Sequence, residues 1–218
     1  MNRFILDLDV FLGDVRIDFV SNLKCLGVIL DNRLTFNSHI DMLSSRLFGV
    51  LRRINSVNLF LPLHVRIRIS WALLMSHILY GFEVYSGTCA VHMKKINYLI
   101  NVVVRFVYNI RRREHISQHF IRFFGYTFKY LVIYRNLLFF YRIIRNCKPV
   151  TLYRNFEFSR STRNPQIYIQ RINSSFFERS FVVRIARWWN LLPFSLRIFS
   201  HSNNVFRLKL LQLFTSQF

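Results

Sequence analysis

The sequence predicts a mainly helical protein with a small N-terminal β region, an α+β arrangement dominated by helix. Three observations carry this expectation. Hydrophobic residues make up 52% of the 218, which excludes a chain too polar to fold. Glycine and proline number only 6 and 4, well under average usage of roughly 7% and 5%. Few turn-makers among many apolar residues point to long helices, not to loops or collagen-like repeats. Finally, the hydrophobic period changes after Asp31-Asn32, from short β-type groups to helical spacing.

The elements follow in order. Over residues 4–30, Ile5, Leu6, Val10, Phe11, Val15, Ile17, Phe19 and Val20 form short β-branched or aromatic groups, broken by Gly13 and Ser21-Asn22. Leu26-Gly27-Val28-Ile29-Leu30 reads as a buried strand and Asp31-Asn32 as a turn. Ser38-x-x-Asp41 has the form of a capping box, with Ile40, Leu43, Leu47, Val50, Leu51 and Ile54 on one helical face behind it. Pro62 suits the first turn of a second helix running to about Tyr80, and Gly81 and Gly87 punctuate its end. A third helix is predicted over 91–110, with Ile96, Leu99, Ile100, Val103, Val104 and Val107 facing inward. Arg111-Arg112-Arg113 follows, where cations favour a helix C-terminus.

A fourth helix near 130–147 sets Ile133, Leu137, Phe140 and Ile144 on one side and Arg135, Arg142 and Arg145 on the other. Pro149 ends it. Residues 151–175 lack periodicity and read as a loop that carries Arg154, Arg160, Arg163 and Arg171. A fifth helix at 176–190 groups Val182, Ile185, Ala186 and Trp189, with Arg184 and Arg187 opposite. Pro193 breaks the chain, and 203–216 supports a last short helix.

Charge narrows the function. Lys+Arg number 31 against 10 Asp+Glu, a formal charge of +21. The excess is uneven. Residues 1–41 hold six Asp and four Lys+Arg, whereas residues 42–218 hold 27 Lys+Arg and four Glu. Arginine outnumbers lysine 25 to 6, and its planar fork suits phosphate oxygens. A surface so short of acid repels itself without a polyanion. RNA, or an RNA–DNA or DNA duplex, gripped by phosphate and not read by base, is the expected partner. Tyr126, Phe128, Tyr153 and Phe156 offer rings that either stack on unpaired bases or pack in the core. An anionic membrane surface is the rival partner.

Other classes are weak. The longest stretch without Asp, Glu, Lys or Arg, Ile69–Phe82, has 14 residues and includes His77, too short for a transmembrane helix of about 20. Asp7, Asp9, Asp14 and Asp18 argue against a secretory or transit signal. Cys25, Cys89 and Cys147, odd in number and widely spaced, suit reduced thiols and an intracellular location, cytoplasmic or nuclear. Asp7-x-Asp9 would share one face of a strand and could hold a divalent ion, but no second acidic cluster follows, so a solvated strand end is the simpler reading. Nor does an adjacent Asp-Asp pair occur, as two-metal phosphoryl transfer would want. Cys89-x-x-His92 with His77, and His115-x-x-x-His119, lack a full zinc ligand set. There is no G-x-S-x-G and no phosphate-cradling glycine loop. No cofactor or metal is expected.

Two strings add a family. Asn22-Leu23-Lys24-Cys25-Leu26-Gly27-Val28-Ile29-Leu30-Asp31, then Leu34-Thr35-Phe36 and His39-Ile40, resembles a segment of non-LTR (LINE-type, jockey-like) retrotransposon reverse transcriptases. Ser175-Phe176 with Arg187-Trp188-Trp189-Asn190-Leu191-Leu192-Pro193 resembles their late Ser-Phe…Arg-x-Trp-Asn-x-Leu-Pro signature. Ser76–Gly81, Asn101 with Val104–Tyr108, and His115-Ile116-Ser117 fall between them in the family's order.

The resemblance implies palm-end and primer-grip strands over 1–34, with Leu26 and Gly27 as grip positions. It implies a helical thumb over 35–110 and a basic C-terminal region over 111–218. The family's Tyr/Phe-x-Asp-Asp motif would lie upstream of Leu26 and is not in the chain. Cys25 stands where an aromatic is usual, and Trp188-Trp189 and Leu191-Leu192 vary the late signature. The expectation is therefore a non-catalytic fragment, from a truncated or decayed element copy, that retains affinity for RNA or a hybrid duplex. Arg52, Arg53, Arg111, Arg112, Arg113, Arg135, Arg142 and Arg145 are the expected contacts. A basic membrane-surface or organellar protein, or an inert pseudogene product, are the alternatives.

Overall fold

A computed structural model of the chain describes residues 10–56, 58–159, 165–199 and 201–216. The expected strand residues Ile5 and Leu6, the Asp7-x-Asp9 pair, and Arg160 and Arg163 lie outside these. The β region is two separate antiparallel hairpins. β1 (Val10–Leu12) pairs with β2 (Val15–Ile17), and β3 (Asn22–Cys25) with β4 (Val28–Asp31). The mainly helical fold with a small N-terminal β region is as the sequence predicts.

The buried strand read over Leu26–Leu30 is corrected. Cys25 pairs with Val28, which leaves Leu26 and Gly27 as a two-residue turn. Both have positive φ, 45° and 84°, as the mirror-image turns of tight hairpins require. Leu26 is 86% exposed. Gly27 is suited to its position twice over: its φ is left-handed, and an added Cβ would stand 3.1 Å from the Tyr80 ring. The Tyr80 hydroxyl donates to the Leu26 carbonyl at 2.8 Å, so the hairpin tip is tied to the helical body.

α1 (Asn37–Asn55) does not begin with the expected capping box, because no side chain caps its N-terminus. Asp41 instead pairs with Lys95, and the Ser38 hydroxyl donates to Asn22 at 3.3 Å. Asp31 orders the approach. Its carboxylate accepts the amides of Arg33 (3.1 Å), Thr35 (3.0 Å) and Phe36 (2.6 Å) and the Thr35 hydroxyl (3.1 Å). Asp31 sits outside the helix, where the local S/T-x-x-D pattern does not look. Ile40, Leu43, Leu47 and Leu51 are buried as their spacing predicts.

The second helix starts after Pro62, as expected, but is not uniform. α2 (Leu63–Ile69) passes through a π-helical stretch, Ser70–Met75, into α3 (Ser76–Leu79). The wider turn buries Leu74 and Met75 and carries Trp71 outward to stack on Phe123 at 5.3 Å. After Gly81 comes a short α4 (Phe82–Tyr85). α5 (Ala90–Tyr108) buries all six of the residues its periodicity selects and packs against α1. Asn109 ends it in a left-handed conformation.

α6 (Ser117–Phe124) was not expected. α7 (Phe128–Asn146) matches the fourth predicted helix within two residues. Among the described residues of the expected 151–175 loop, 154–159 and 165–174 are irregular, α8 (Val150–Tyr153) occupies its start, and one β-bridge joins Phe158 to Ile167. The fifth helix is two. α9 (Ser175–Glu178) stops, and α10 (Phe181–Leu191) restarts under a Ser180 cap whose hydroxyl accepts the Val183 amide. α11 (Asn203–Thr215) is capped likewise by Ser202. α7 packs against α10 and α11, and Trp189, fully buried, meets Phe140 and Phe206 there. The apolar core is continuous from Val28 to Phe214.

Candidate nucleic-acid interface

The C-terminal ends of α1 and α5 lie side by side and enclose an open groove of about 680 Å³. Arg52 lines one wall. Arg105 and Arg111 line the other, with Asn55, Asn58 and Asn109 between them and Phe48 in the wall. The helices bring these residues together for ordinary reasons. The apolar faces of α1 and α5 pack, so their last turns end at one place. Positive charge is favoured in a last turn, where carbonyl groups are unpaired.

That preference does not account for the whole cluster. Arg53 donates through Nε to the Gly49 carbonyl at 3.3 Å, and so serves its own helix. Arg105 bonds the carbonyls of Arg111 and, at 2.8 Å, Glu114, so it clamps the turn after α5. The consequence is that Arg111, Arg112 and Arg113 are held on an ordered turn, exposed, beside the groove. Among the described residues, no carboxylate pairs with Arg52 or with any member of the triplet. The Asn58 amide nitrogen donates to Asn109 Oδ1 at 2.7 Å, fixing the floor, while Asn58 Oδ1 is buried with no partner of its own. Phe48 is 39% exposed and offers a ring face in the groove. The groove thus presents exposed guanidinium groups beside one partly exposed aromatic ring.

Of the eight expected arginines, Arg52 and Arg111 line this groove, and Arg53, Arg112 and Arg113 are their exposed neighbours in sequence. The other three do neither. Arg135 is corrected: it is half-buried, pairs with Glu83 at 2.9 Å and donates to the Leu79 carbonyl at 3.2 Å. It fastens α7 to the α3–α4 corner. Arg142 lines a separate cleft between α7 and α11 with Arg207. Arg145 bonds the His201 carbonyl. Nor is Arg184 on a solvated face opposite the core, because its guanidinium bonds Ser86 and Arg179. Of the four rings weighed for base stacking, Tyr126 and Phe156 are buried in the core and Phe128 packs half-buried against it, while Tyr153 is half-buried. Leu26 and Gly27 form an exposed hairpin tip.

Sequence reasoning missed Arg105, Phe48 and the three asparagines. Asn109 was the available signal: an Asn directly after a helical pattern and just before an Arg run marks a left-handed helix end that turns the run aside.

Among the described residues, the Cys89-x-x-His92 and His115-x-x-x-His119 candidates gain no third ligand. Cys89 Sγ lies 3.4 Å from His92 Nδ1, but that nitrogen is 3.0 Å from the Thr35 carbonyl, which makes it a structural contact. No group of three or more His, Cys, Asp or Glu is assembled among the described residues. None of their helices is long and apolar enough to cross a membrane.

Burial raises the Asp31 carboxyl, but the Thr35, Phe36 and Arg33 amides and the Thr35 hydroxyl together outweigh it and hold it below its ordinary value. Burial lowers His39, which packs edge-on against Tyr85. Comparison with family models, with curated proteins and with solved structures finds no match.

Proposed function

We propose that the chain is a nucleic-acid-holding module that grips RNA or an RNA–DNA duplex by its phosphates in the groove between the ends of α1 and α5. The groove itself carries the reading: Arg52 from one helix end and Arg105 and Arg111 from the other line it, and no carboxylate among the described residues pairs with them. Phosphate-directed binding needs this arrangement and base reading does not. The strings at Asn22–Asp31 and Arg187–Pro193 extend the proposal to the thumb and C-terminal part of a LINE-type reverse transcriptase. Its supporting features are the tight hairpin tip at Leu26-Gly27 and a helical body whose basic groove would follow the duplex. Polymerisation is not part of the proposal, since these 218 residues contain no Asp-Asp pair.

The test is anisotropy with labelled RNA and hybrid duplex, beside anionic and neutral vesicles. The R52Q/R111Q variant should weaken nucleic-acid binding at least tenfold and leave the melting temperature unchanged. Equal binding by variant and wild type, or binding to anionic vesicles but not to RNA or hybrid, would overturn the reading.

A further inference from the structure

A second, more enclosed cavity of about 190 Å³ lies where the β4–α1 loop, the α4–α5 loop and the α9–α10 junction meet. Three arginines line it: Arg33, Arg179 and Arg184. Neither Asp nor Glu does. Arg184 is the deepest. Its Nε donates to the Arg179 carbonyl at 3.0 Å, and Nη1 donates to the Ser86 carbonyl at 3.1 Å. These bonds fix the guanidinium plane, and its charge also lies 5.3 Å from the Trp188 ring centre. Nη2 has no such carbonyl. It stands beside Gly87, where an added Cβ would approach it to 2.9 Å and the Arg179 carbonyl to 2.7 Å. Glycine at 87 thus keeps the mouth of the guanidinium open.

No carboxylate pairs with Arg184 among the described residues, and Glu178, close in sequence, pairs with Arg187 at 2.9 Å. Burial lowers Arg184 to about 10, the cost of holding a cation there without a counter-charge. Arg33 and Arg179 are exposed at the rim, and Arg33 is held on the loop that Asp31 orders.

We propose that this cavity is a phosphate-group site, with Arg184 as the buried fork and Arg33 and Arg179 closing over the anion. The volume is roughly that of six waters in the liquid, room for one phosphate and the start of an ester but not for a duplex. Planar arginine forks over a pocket without acid suit a tetrahedral oxyanion better than a cation or an apolar ligand. The proposal does not rest on the groove reading, since different residues make the two sites.

The probe is inorganic phosphate, followed by calorimetry and by thermal shift against sodium chloride of equal ionic strength. Wild-type protein should bind phosphate saturably and melt higher in it. R33Q/R179Q, which changes only exposed side chains, should keep the wild-type melting temperature without phosphate and bind phosphate at least tenfold more weakly. R154Q/R171Q removes the same charge from the exposed 151–175 segment, outside both the groove and this cavity, and should bind phosphate normally. R184K, if folded, should behave as R33Q/R179Q. Phosphate stabilisation no greater than that of chloride, or undiminished binding by R33Q/R179Q, would overturn the proposal. Displacement of phosphate by a 5′-phosphorylated but not a 5′-hydroxyl oligonucleotide would assign the site to a strand end. Displacement by both would assign it to the strand backbone, and by neither to a free phosphorylated small molecule; each of these supports a phosphate site.

Discussion

Replacing Asp31 with alanine should cost about 2 kcal/mol of folding stability. The figure comes from the four hydrogen bonds that its carboxylate accepts. The Arg33 amide is exposed, and water can replace its bond at little cost. The Thr35 amide and hydroxyl are half-buried and lose part of theirs. The Phe36 amide, at 2.6 Å in a residue only 8% exposed, has no ready substitute. One stranded buried donor costs about 1–3 kcal/mol, and loss of a cap-type carboxylate typically about 1. D31N keeps one acceptor oxygen and should lose about half as much. Urea denaturation reads the difference as a lower midpoint at unchanged slope. The wild-type carboxyl is held below the ordinary 3.8, so its contribution is present above that pH and is lost as pH falls through the lower folded value. D31A should therefore lose less stability than wild type between pH 5 and the acid transition. A D31A midpoint within about 0.5 kcal/mol of wild type, with an unchanged acid limb, would refute the role given to Asp31.

Three further outcomes are expected. G27A should destabilise by about 1–2 kcal/mol, from its left-handed φ and the Tyr80 ring 3.1 Å away, and Y80F by less than about 1; urea midpoints measure both. His39 is lowered by burial, so below its ordinary 6.5 the unfolded chain takes up a proton that the folded chain refuses. The melting temperature should accordingly fall from pH 7 to pH 5.5, with a shallower fall in H39Q; parallel curves would contradict this. W189A should cost about 3–5 kcal/mol, because it empties a fully buried site and frees the Pro165 carbonyl that Trp189 Nε1 bonds at 3.0 Å.

Much of the helical body was legible because its apolar spacing is regular. The face of α5 from Ile96 to Val107 and that of α1 from Ile40 to Leu51 are buried as written. What stayed hidden depends on partners remote in sequence. α6 was missed because its eight residues pack through Phe120 and through Phe123 against Trp71, and that ring is displayed by a π-helical turn with no local signature. Leu26 looked like core because a leucine seldom takes positive φ; pairing of Cys25 with Val28 imposes it.

The groove was half legible for a related reason. An arginine's type can be read from sequence, but whether it meets a carboxylate, a carbonyl or water cannot. Arg135 finds Glu83 across the fold, while Arg111–Arg113 are set out by Arg105. Arg184 shows the limit most plainly, since its helical position opposes the core and yet the α4–α5 loop buries it.

The salt dependence of binding tests the central claim most directly. Affinity for a labelled hybrid duplex is measured from 50 to 300 mM salt for wild type and for a variant with Arg52, Arg53, Arg111, Arg112 and Arg113 all changed to Gln. Each phosphate neutralised contributes a slope of about −0.7 to −0.9 to log affinity against log salt. The account predicts a steep wild-type slope that becomes shallower by about 2 or more in the variant, at an unchanged melting temperature. A flat wild-type response, or the same slope in both proteins, would contradict it.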